Sequence, residues 1–247
     1  MATPAPMLIA HRGHPCVSPE NTLEGIVSAI DAGVRHIEFD VQSSADGVPV
    51  VIHDEDLERT AGIPGCVLDL PWSTLAEIDV HEPGRFGNRY AGVRLPALTE
   101  AVSLLLDHPG VTAFVELKRE SLRRFGSVGV VARVAEIVAP LGDRAVMISF
   151  DDAAVELAKE HGVRIGWVLD AWDATHRTRA QTLEPEFLFC DRARVPAAPA
   201  PMWPGPWAWA IYTVDEPEVA LELGRRSVPY VETNAIGAML ADARLGG

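Results

Sequence analysis

Two histidines and two carboxylates lie within one short segment near the start of the chain. His11 and His53 bound this segment, and Glu38 and Asp40 lie between them, separated by a single residue. Imidazole exchanges protons near neutral pH, and closely spaced carboxylates bind cations. The segment therefore predicts metal-assisted acid/base chemistry.

An alternating pattern predicts that the two carboxylates share one side of a strand. Apolar residues alternate with Glu38 and Asp40 over residues 34–41. Because successive side chains of a strand point to opposite faces, the two carboxylates lie on the same face, about 7 Å apart along the strand.

The segment after this strand departs from a simple alternation of strands and helices. Asp46-Gly47 predicts a tight turn, and residues 48–52 predict an antiparallel return strand, since the connection is too short for a parallel crossover. From residue 54 to 95, glycines and prolines interrupt every pattern, with one short helix expected near residues 73–78. A segment this long is usually functional, so we expect a small insertion that covers a site.

Strands and helices alternate regularly after the insertion, beginning with a helix that Thr99 is predicted to cap. With the return strand set aside, candidate parallel strands lie near residues 8, 38, 115, 148, 166, 188, 210 and 231. This pattern predicts an α/β fold, a (β/α)8 TIM barrel formed by residues 1–247 as a single domain. An open doubly wound sheet is the alternative, but no glycine-rich phosphate-binding motif follows a strand.

The barrel prediction brings the polar residues together, because active sites of such barrels lie where the strands end. His11 ends the first strand, Glu38 and Asp40 the second, and Glu116 and Lys118 the third. Three converging carboxylates repel one another unless a cation binds between them. Oxygen ligands favour one hard divalent ion, Mg²⁺ or Ca²⁺, over zinc.

These side chains fit the cleavage of a phosphodiester. One histidine could deprotonate a nucleophile while the other protonates the leaving oxygen. The cation would neutralise one phosphoryl oxygen, and the planar fork of Arg12 could hold another.

The composition of the chain disfavours some classes of binding partner. The chain has 35 acidic against 21 basic residues, and its formal charge of −14 repels nucleic acids and anionic membranes. We therefore expect a small-molecule substrate, and an anionic one would need a local cation. Three widely spaced cysteines fit neither a disulfide framework nor a zinc site. No secretory pattern opens the chain and no long apolar run occurs, so a cytoplasmic protein without a membrane span is expected.

The order of short motifs resembles the glycerophosphodiester phosphodiesterase family, within the phospholipase-C-like phosphodiesterase superfamily. Each motif alone is short, but the combination is specific. The matching segments are Ala10-His11-Arg12-Gly13, Pro19-Glu20-Asn21-Thr22, Glu38-Phe39-Asp40-Val41, Asp46-Gly47-Val48-Pro49-Val50, His53-Asp54 with Leu57 and Arg59-Thr60, Leu95-Pro96-Ala97-Leu98-Thr99-Glu100, Val115-Glu116-Leu117-Lys118 and Ser149-Phe150-Asp151.

The resemblance implies a TIM barrel in which a divalent ion is bound by Glu38, Asp40 and Glu116. It also implies that Glu20 lies near the metal, so we include Glu20 as a further candidate ligand. The insertion after His53 would shape the glycerol side of the pocket.

The resemblance further implies that His11 and His53 are the general acid and base, and that Arg12 and Lys118 contact phosphate. The implied reaction is metal-dependent hydrolysis of a glycerophosphodiester to glycerol 3-phosphate and an alcohol. Either water or the glycerol 2-hydroxyl could be the nucleophile.

The chain departs from the family pattern mainly in its C-terminal third. Tyr212 stands where the family often has tryptophan, and Glu232-Thr233-Asn234 replaces a common Thr-Asp-x-Pro. These changes point to the leaving-group pocket, for which Phe150, Trp209 and Tyr212 are the aromatic candidates.

Two other functions are compatible with the sequence. The same chemistry could act on a lysophospholipid or another phosphodiester, with Trp72, Phe86 and Tyr90 forming an apolar rim on the insertion. Alternatively, the barrel could bind a phosphate ligand without turning it over.

Overall fold

The computed structural model describes residues 5–246, and these form a closed barrel of parallel strands surrounded by helices. Residues 1–4, where the N-terminal pattern was considered, and residue 247 of the predicted domain lie outside the described residues. The strands are β1 Met7–His11, β2 His36–Ser43, β3 Pro49–Val51, β4 Thr112–Leu117, β5 Ala145–Ser149, β6 Arg164–Leu169, β7 Phe187–Asp191, β8 Ala208–Tyr212 and β9 Tyr230–Thr233. The helices are α1 Leu23–Asp31, α2 Glu58–Ala61, α3 Trp72–Leu75, α4 Pro83–Phe86, α5 Leu98–Leu106, α6 Arg119–Phe125, α7 Ser127–Val138, α8 Asp152–Glu160, α9 Ala174–Leu183, α10 Pro217–Arg225 and α11 Ile236–Ala241.

The (β/α)8 prediction is confirmed, because β1 pairs in parallel with both β2 and β9 and so closes the sheet. The return strand is also confirmed: β3 pairs antiparallel with β2, outside the ring of eight parallel strands in the described chain. The register places His11 opposite Glu38, and Asp40 opposite Glu116. The polar ends of the first three parallel strands therefore meet at one end of the barrel.

Apolar residues fill the molecule in separate layers. Ile9, Phe114 and Phe189 belong to a buried cluster inside the barrel. The opposite faces of the strands, including Ile37 and Phe39, pack against the surrounding helices. Since one face of β2 is sealed by helices, its carboxylates project into the barrel.

The insertion has a small core of its own. Leu57, Val67 and Leu75 are fully buried there, and Leu95 closes the segment. Instead of the one short helix expected near residues 73–78, the segment contains α2, α3 and α4 and a 3-10 turn at Val67–Asp69. Each is a single turn of helix, too short to give a periodic sequence signal.

Several predicted boundaries were wrong by a few residues. The first helix after the insertion begins at Leu98, and Ala97 rather than Thr99 occupies its N-cap position. The backbone N–H of Ala97 donates to the Glu100 carboxylate at 2.8 Å, so the acidic side chain stabilises the helix start. Helix α6 was not predicted.

Candidate active site

Three carboxylates lie close enough to hold one cation. Ligand oxygens of Glu38, Asp40 and Glu116 all lie within 4.8 Å of one another. Glu38 and Asp40 are each 1% exposed, because neighbouring strands and helices enclose them. The carboxylates at the ends of β2 and β4 therefore lie together, as predicted.

Burial and mutual repulsion perturb these acids. Burial raises the pKa of Glu38 well above its ordinary value, and the charges of Asp40 and Glu232 add to the effect. Burial also acts to raise the pKa of Asp40, but Lys118 and Arg12 outweigh it and hold that pKa far below its usual range. The site therefore contains one firmly ionised carboxylate beside others that burial disfavours as anions.

Two cationic side chains partly neutralise this cluster. The Lys118 ammonium lies 2.9 Å from Glu116 Oε1 and 3.3 Å from Asp40 Oδ1. Arg12 Nε lies 3.2 Å from Asp40 Oδ2. Both cationic side chains therefore lie within ion-pair distance of the carboxylate cluster.

The His11 ring is held by the closing strand of the barrel. Its Nδ1 lies 2.8 Å from Asn234 Oδ1, and its Nε2 lies 3.5 Å from Glu232 Oε1 and 3.9 Å from Glu38 Oε2. Donation from Nδ1 to the Asn234 oxygen leaves Nε2 as the proton acceptor of a neutral ring. Burial, with Arg12 adding to it, lowers the pKa of His11 to about 4, so the ring is neutral at pH 7.

His53 is oriented by an acidic neighbour. Its Nδ1 lies 2.5 Å from Asp54 Oδ1, and the other Asp54 oxygen accepts from Arg59 Nε at 2.6 Å. The backbone oxygen of His53 also accepts from Gln42 Nε2 at 3.1 Å. Both the ring and the main chain of this histidine are therefore fixed.

The loop between β1 and α1 is folded tightly against β2. Asn21 Nδ2 donates to Asp40 Oδ2 at 2.9 Å, and its Oδ1 accepts from the Asp40 backbone N–H at 3.1 Å. Arg12 and Asn21 adopt left-handed backbone conformations, with φ of 54° and 55°. A Cβ on Gly13 would lie 2.7 Å from the Gly25 backbone, so only glycine lets the loop approach α1. The loop holds unfavourable backbone angles where it supports the site.

Glu20, the further candidate ligand, lies between two arginines. Its carboxylate accepts from Arg12 Nη1 at 3.0 Å and from both terminal nitrogens of Arg59 at 2.8 Å. Within residues 5–246, two groups of side chains are spaced to hold one metal ion, Glu38-Asp40-Glu116 and His11-Glu38-Glu232, and Glu20 belongs to neither. Burial acts to raise its pKa, yet the two arginines lower it, so Glu20 is an ionised partner for them.

The predicted aromatic pocket is only partly assembled. A cavity of about 180 Å³ is lined by Phe150 and Tyr212 together with His11, His53 and Lys118. The placement of Trp209 in this pocket requires correction. Its side chain is buried on the outer face of β8, where it stacks on Trp172 at 5.1 Å and donates to the Trp203 backbone oxygen.

Sequence reasoning missed three residues at or beside the site. Glu232 and Asn234 come from the end of β9 and reach His11, while Glu82 lies in the insertion and accepts from the Glu20 backbone N–H at 2.6 Å. The departure from the family pattern at residues 232–234 was the available signal, but it was assigned to the leaving-group pocket.

The donor set suits a hard divalent cation. If Glu38, Asp40, Glu116 and Glu232 were all ionised, their four negative charges would exceed the two positive charges of Arg12 and Lys118 by two. Burial and mutual repulsion oppose that state, and a bound cation would favour it. Glu38 Oε1 is buried and has no hydrogen-bond partner among the described residues. An unpaired buried carboxylate oxygen is costly, and a cation would satisfy it.

The fold and this site define a TIM barrel with a carboxylate cluster, two histidines and two cationic side chains at one end. The family model described as the glycerophosphoryl diester phosphodiesterase family matches residues 11–182. The chain belongs to this family. Among the described residues, no helix has both the length and the apolar character needed to cross a bilayer.

Curated relatives agree with this assignment. Glycerophosphodiester phosphodiesterase from Caldanaerobacter subterraneus is 43% identical over 102 residues, covering 41% of each chain. Glycerophosphodiester phosphodiesterase 1 from Bos taurus is 36% identical over 110 residues, covering 44% of this chain and 33% of its own. The matches thus cover a third to two fifths of these relatives' lengths.

The fold is similar to that of solved phosphodiesterases. The structure of an Oleispira antarctica phosphodiesterase in complex with the product sn-glycerol-3-phosphate has a TM-score of 0.83 and 24% identity, covering 96% of both chains. A glycerophosphodiester phosphodiesterase from Agrobacterium tumefaciens has a TM-score of 0.74 and 24% identity, covering 96% of this chain and 99% of its own.

Proposed function

We propose that this chain hydrolyses glycerophosphodiesters to glycerol 3-phosphate and an alcohol, and that it uses one divalent cation, Mg²⁺ or Ca²⁺. The observation that carries the proposal is one cavity that brings two histidines to Glu116, Arg12 and Lys118. Family membership and the product named for the Oleispira antarctica relative support the substrate class.

Glu38, Asp40 and Glu116 would hold the cation, which when bound would neutralise charge on a phosphate oxygen. Arg12 and Lys118 would bind the remaining phosphate oxygens, since both nitrogens lie at the edge of the carboxylate cluster. With these roles, the phosphate would lie at the end of the barrel where β1, β2 and β4 end.

The two histidines would exchange protons with the substrate. Each ring is bonded through Nδ1, to Asn234 or Asp54, so Nε2 of each is left for the reacting groups. One ring would remove the proton of the nucleophile, and the other would donate a proton to the departing alkoxide. Phe150 and Tyr212 would pack against the organic part of the substrate.

Two alternatives are less well supported. A lipid-binding rim on the insertion would need exposed apolar residues, but Trp72 and Tyr90 pack against the insertion core, and Phe86 contacts the Tyr90 ring. A barrel that only binds phosphate would not need two separately oriented histidines. We propose a cytoplasmic location, with which the free thiols of Cys16, Cys66 and Cys190 are compatible. The proposed product, glycerol 3-phosphate, would give the enzyme a role in lipid-derived glycerol metabolism.

The proposal is tested by incubating the protein with glycerophosphocholine, glycerophosphoethanolamine and lysophosphatidylcholine in the presence of Mg²⁺ or Ca²⁺. We expect glycerol 3-phosphate from the first two substrates, and about 100-fold or greater losses in His11→Ala and His53→Ala. Binding without product would favour the non-catalytic alternative. Turnover of the lysophospholipid alone would contradict the proposed substrate.

A further inference from the structure

Arg59 connects two parts of the site through a single guanidinium group. It lies on α2, the first helix of the insertion. Its Nε donates to Asp54 Oδ2 at 2.6 Å, and its two terminal nitrogens donate to the two Glu20 oxygens at 2.8 Å each. All three nitrogens are therefore engaged, on two carboxylates from different segments.

Each of these carboxylates holds a residue of the proposed machinery. Asp54 accepts from the His53 ring, and Glu20 accepts from Arg12. A single side chain, Asp54, therefore separates Arg59 from the proposed proton-transfer residue His53. A single side chain, Glu20, separates it from the proposed phosphate-binding residue Arg12. Only the planar fork of arginine can hold two carboxylates in this way, because lysine offers a single nitrogen.

The core of the insertion holds the helix that carries Arg59 in place. Leu57, which is fully buried, precedes α2 and anchors it in the insertion core. Glu82 is 1% exposed, donates its backbone N–H to the Thr60 oxygen at 2.9 Å and accepts from the Glu20 backbone at 2.6 Å. The insertion therefore fixes both the main chain and the side chain of Glu20.

We infer that Arg59 is a positioning residue that holds His53, through Asp54, and Arg12, through Glu20, in one mutual geometry. Its side-chain hydrogen bonds among the described residues go to Asp54 and Glu20, and it does not line the cavity in which the substrate would react. This inference rests on the proposed function. It gives the first helix of the insertion, α2, the role of aligning His53 and Arg12.

The test compares Arg59→Gln with Arg94→Gln. Arg94 is an exposed arginine of the same insertion that contacts Glu77 away from the site, so the two variants change net charge equally. With glycerophosphoethanolamine, Arg59→Gln is expected to lower kcat by about 10- to 100-fold, the usual loss when a supporting partner of a functional group is removed. Arg94→Gln is expected to match the wild type. Thermal unfolding of both variants checks that they fold.

A double-mutant cycle separates positioning from general destabilisation. In an Asp54→Asn background, the Asp54 link to His53 is already weakened, so Arg59→Gln should cost several-fold less than in the wild type. Arg59→Lys keeps the charge without the fork and should remain impaired. Wild-type kcat in Arg59→Gln or Arg59→Lys, or full multiplication of the losses in the double variant, would overturn the inference.

A spectroscopic readout keeps the inference distinct from the proposed function. The His53 Nδ1 proton, in its short bond to Asp54, should give a downfield proton resonance that shifts or vanishes in Arg59→Gln and persists in Arg94→Gln. If the wild type shows no hydrolysis, the proposed function fails, while this resonance still decides the role of Arg59. An unchanged resonance in Arg59→Gln would contradict the positioning role.

Discussion

Replacement of Glu20 by glutamine distinguishes an arginine partner from a cation ligand. Glu20 is 8% exposed and accepts three hydrogen bonds from two arginines, at 2.8 to 3.0 Å. Hydrogen bonds to charged groups contribute about 1.5 to 3 kcal/mol each, but glutamine retains one acceptor and Arg59 is partly solvated. We therefore expect a loss of about 2 kcal/mol in the free energy of unfolding.

The matching assays are thermal unfolding without added cation and calorimetric titration with Mg²⁺ or Ca²⁺. A loss of 2 kcal/mol corresponds to a fall of about 4 to 8 °C in Tm for a chain of this size. Cation affinity should change by less than about threefold, because the oxygens that converge on one point belong to other residues. A tenfold loss of cation affinity with an unchanged Tm would refute this reasoning and make Glu20 a ligand.

Three further changes address the carboxylate cluster. Asn21→Ala removes both hydrogen bonds to Asp40 and puts alanine at a φ of 55°, so urea unfolding should show a loss of about 1 to 3 kcal/mol; unchanged stability would contradict the role of Asn21. Burial and the charges of Glu116 and Asp40 raise the pKa of Glu232, so the Glu232 anion destabilises the fold. Glu232→Gln should therefore raise the Tm measured without cation and weaken cation binding. A lower Tm would argue against this repulsion. Because burial raises the pKa of Glu38, a cation must displace a proton from this carboxyl as pH falls. Cation affinity should therefore rise with pH, and binding should release protons, which calorimetry in two buffers measures. A cation affinity that does not change with pH would exclude this competition.

Most of the fold was predictable because its signals are local. The alternation around Glu38 and Asp40 set which face of β2 points inward, and the short connection after it required an antiparallel return strand. The barrel could be inferred from the count of alternating elements, and it brings the ends of β2 and β4, with Asp40 and Glu116, to the same end of the sheet.

The remainder depended on contacts between distant segments. The predicted barrel implies that β9 closes against β1, but no local pattern in either segment marks Glu232 and Asn234 as the residues that reach His11. The position of Glu20 between two arginines likewise depends on how the insertion folds back onto the loop after β1.

The placement of Trp209 was an avoidable error. Trp209 and Tyr212 are three residues apart on one strand, so the period of two already puts them on opposite faces. Tyr212 points into the barrel and Trp209 toward the helices.

The most direct test of the account is glycerol 3-phosphate release from glycerophosphoethanolamine before and after removal of divalent ions with EDTA. We expect loss of activity on chelation and its recovery on addition of Mg²⁺ or Ca²⁺. We expect no recovery in Asp40→Asn, because the Asp40 side chain belongs to the carboxylate cluster and also pairs with Lys118. Undiminished release in EDTA would contradict the central claim that this carboxylate cluster works by holding a cation.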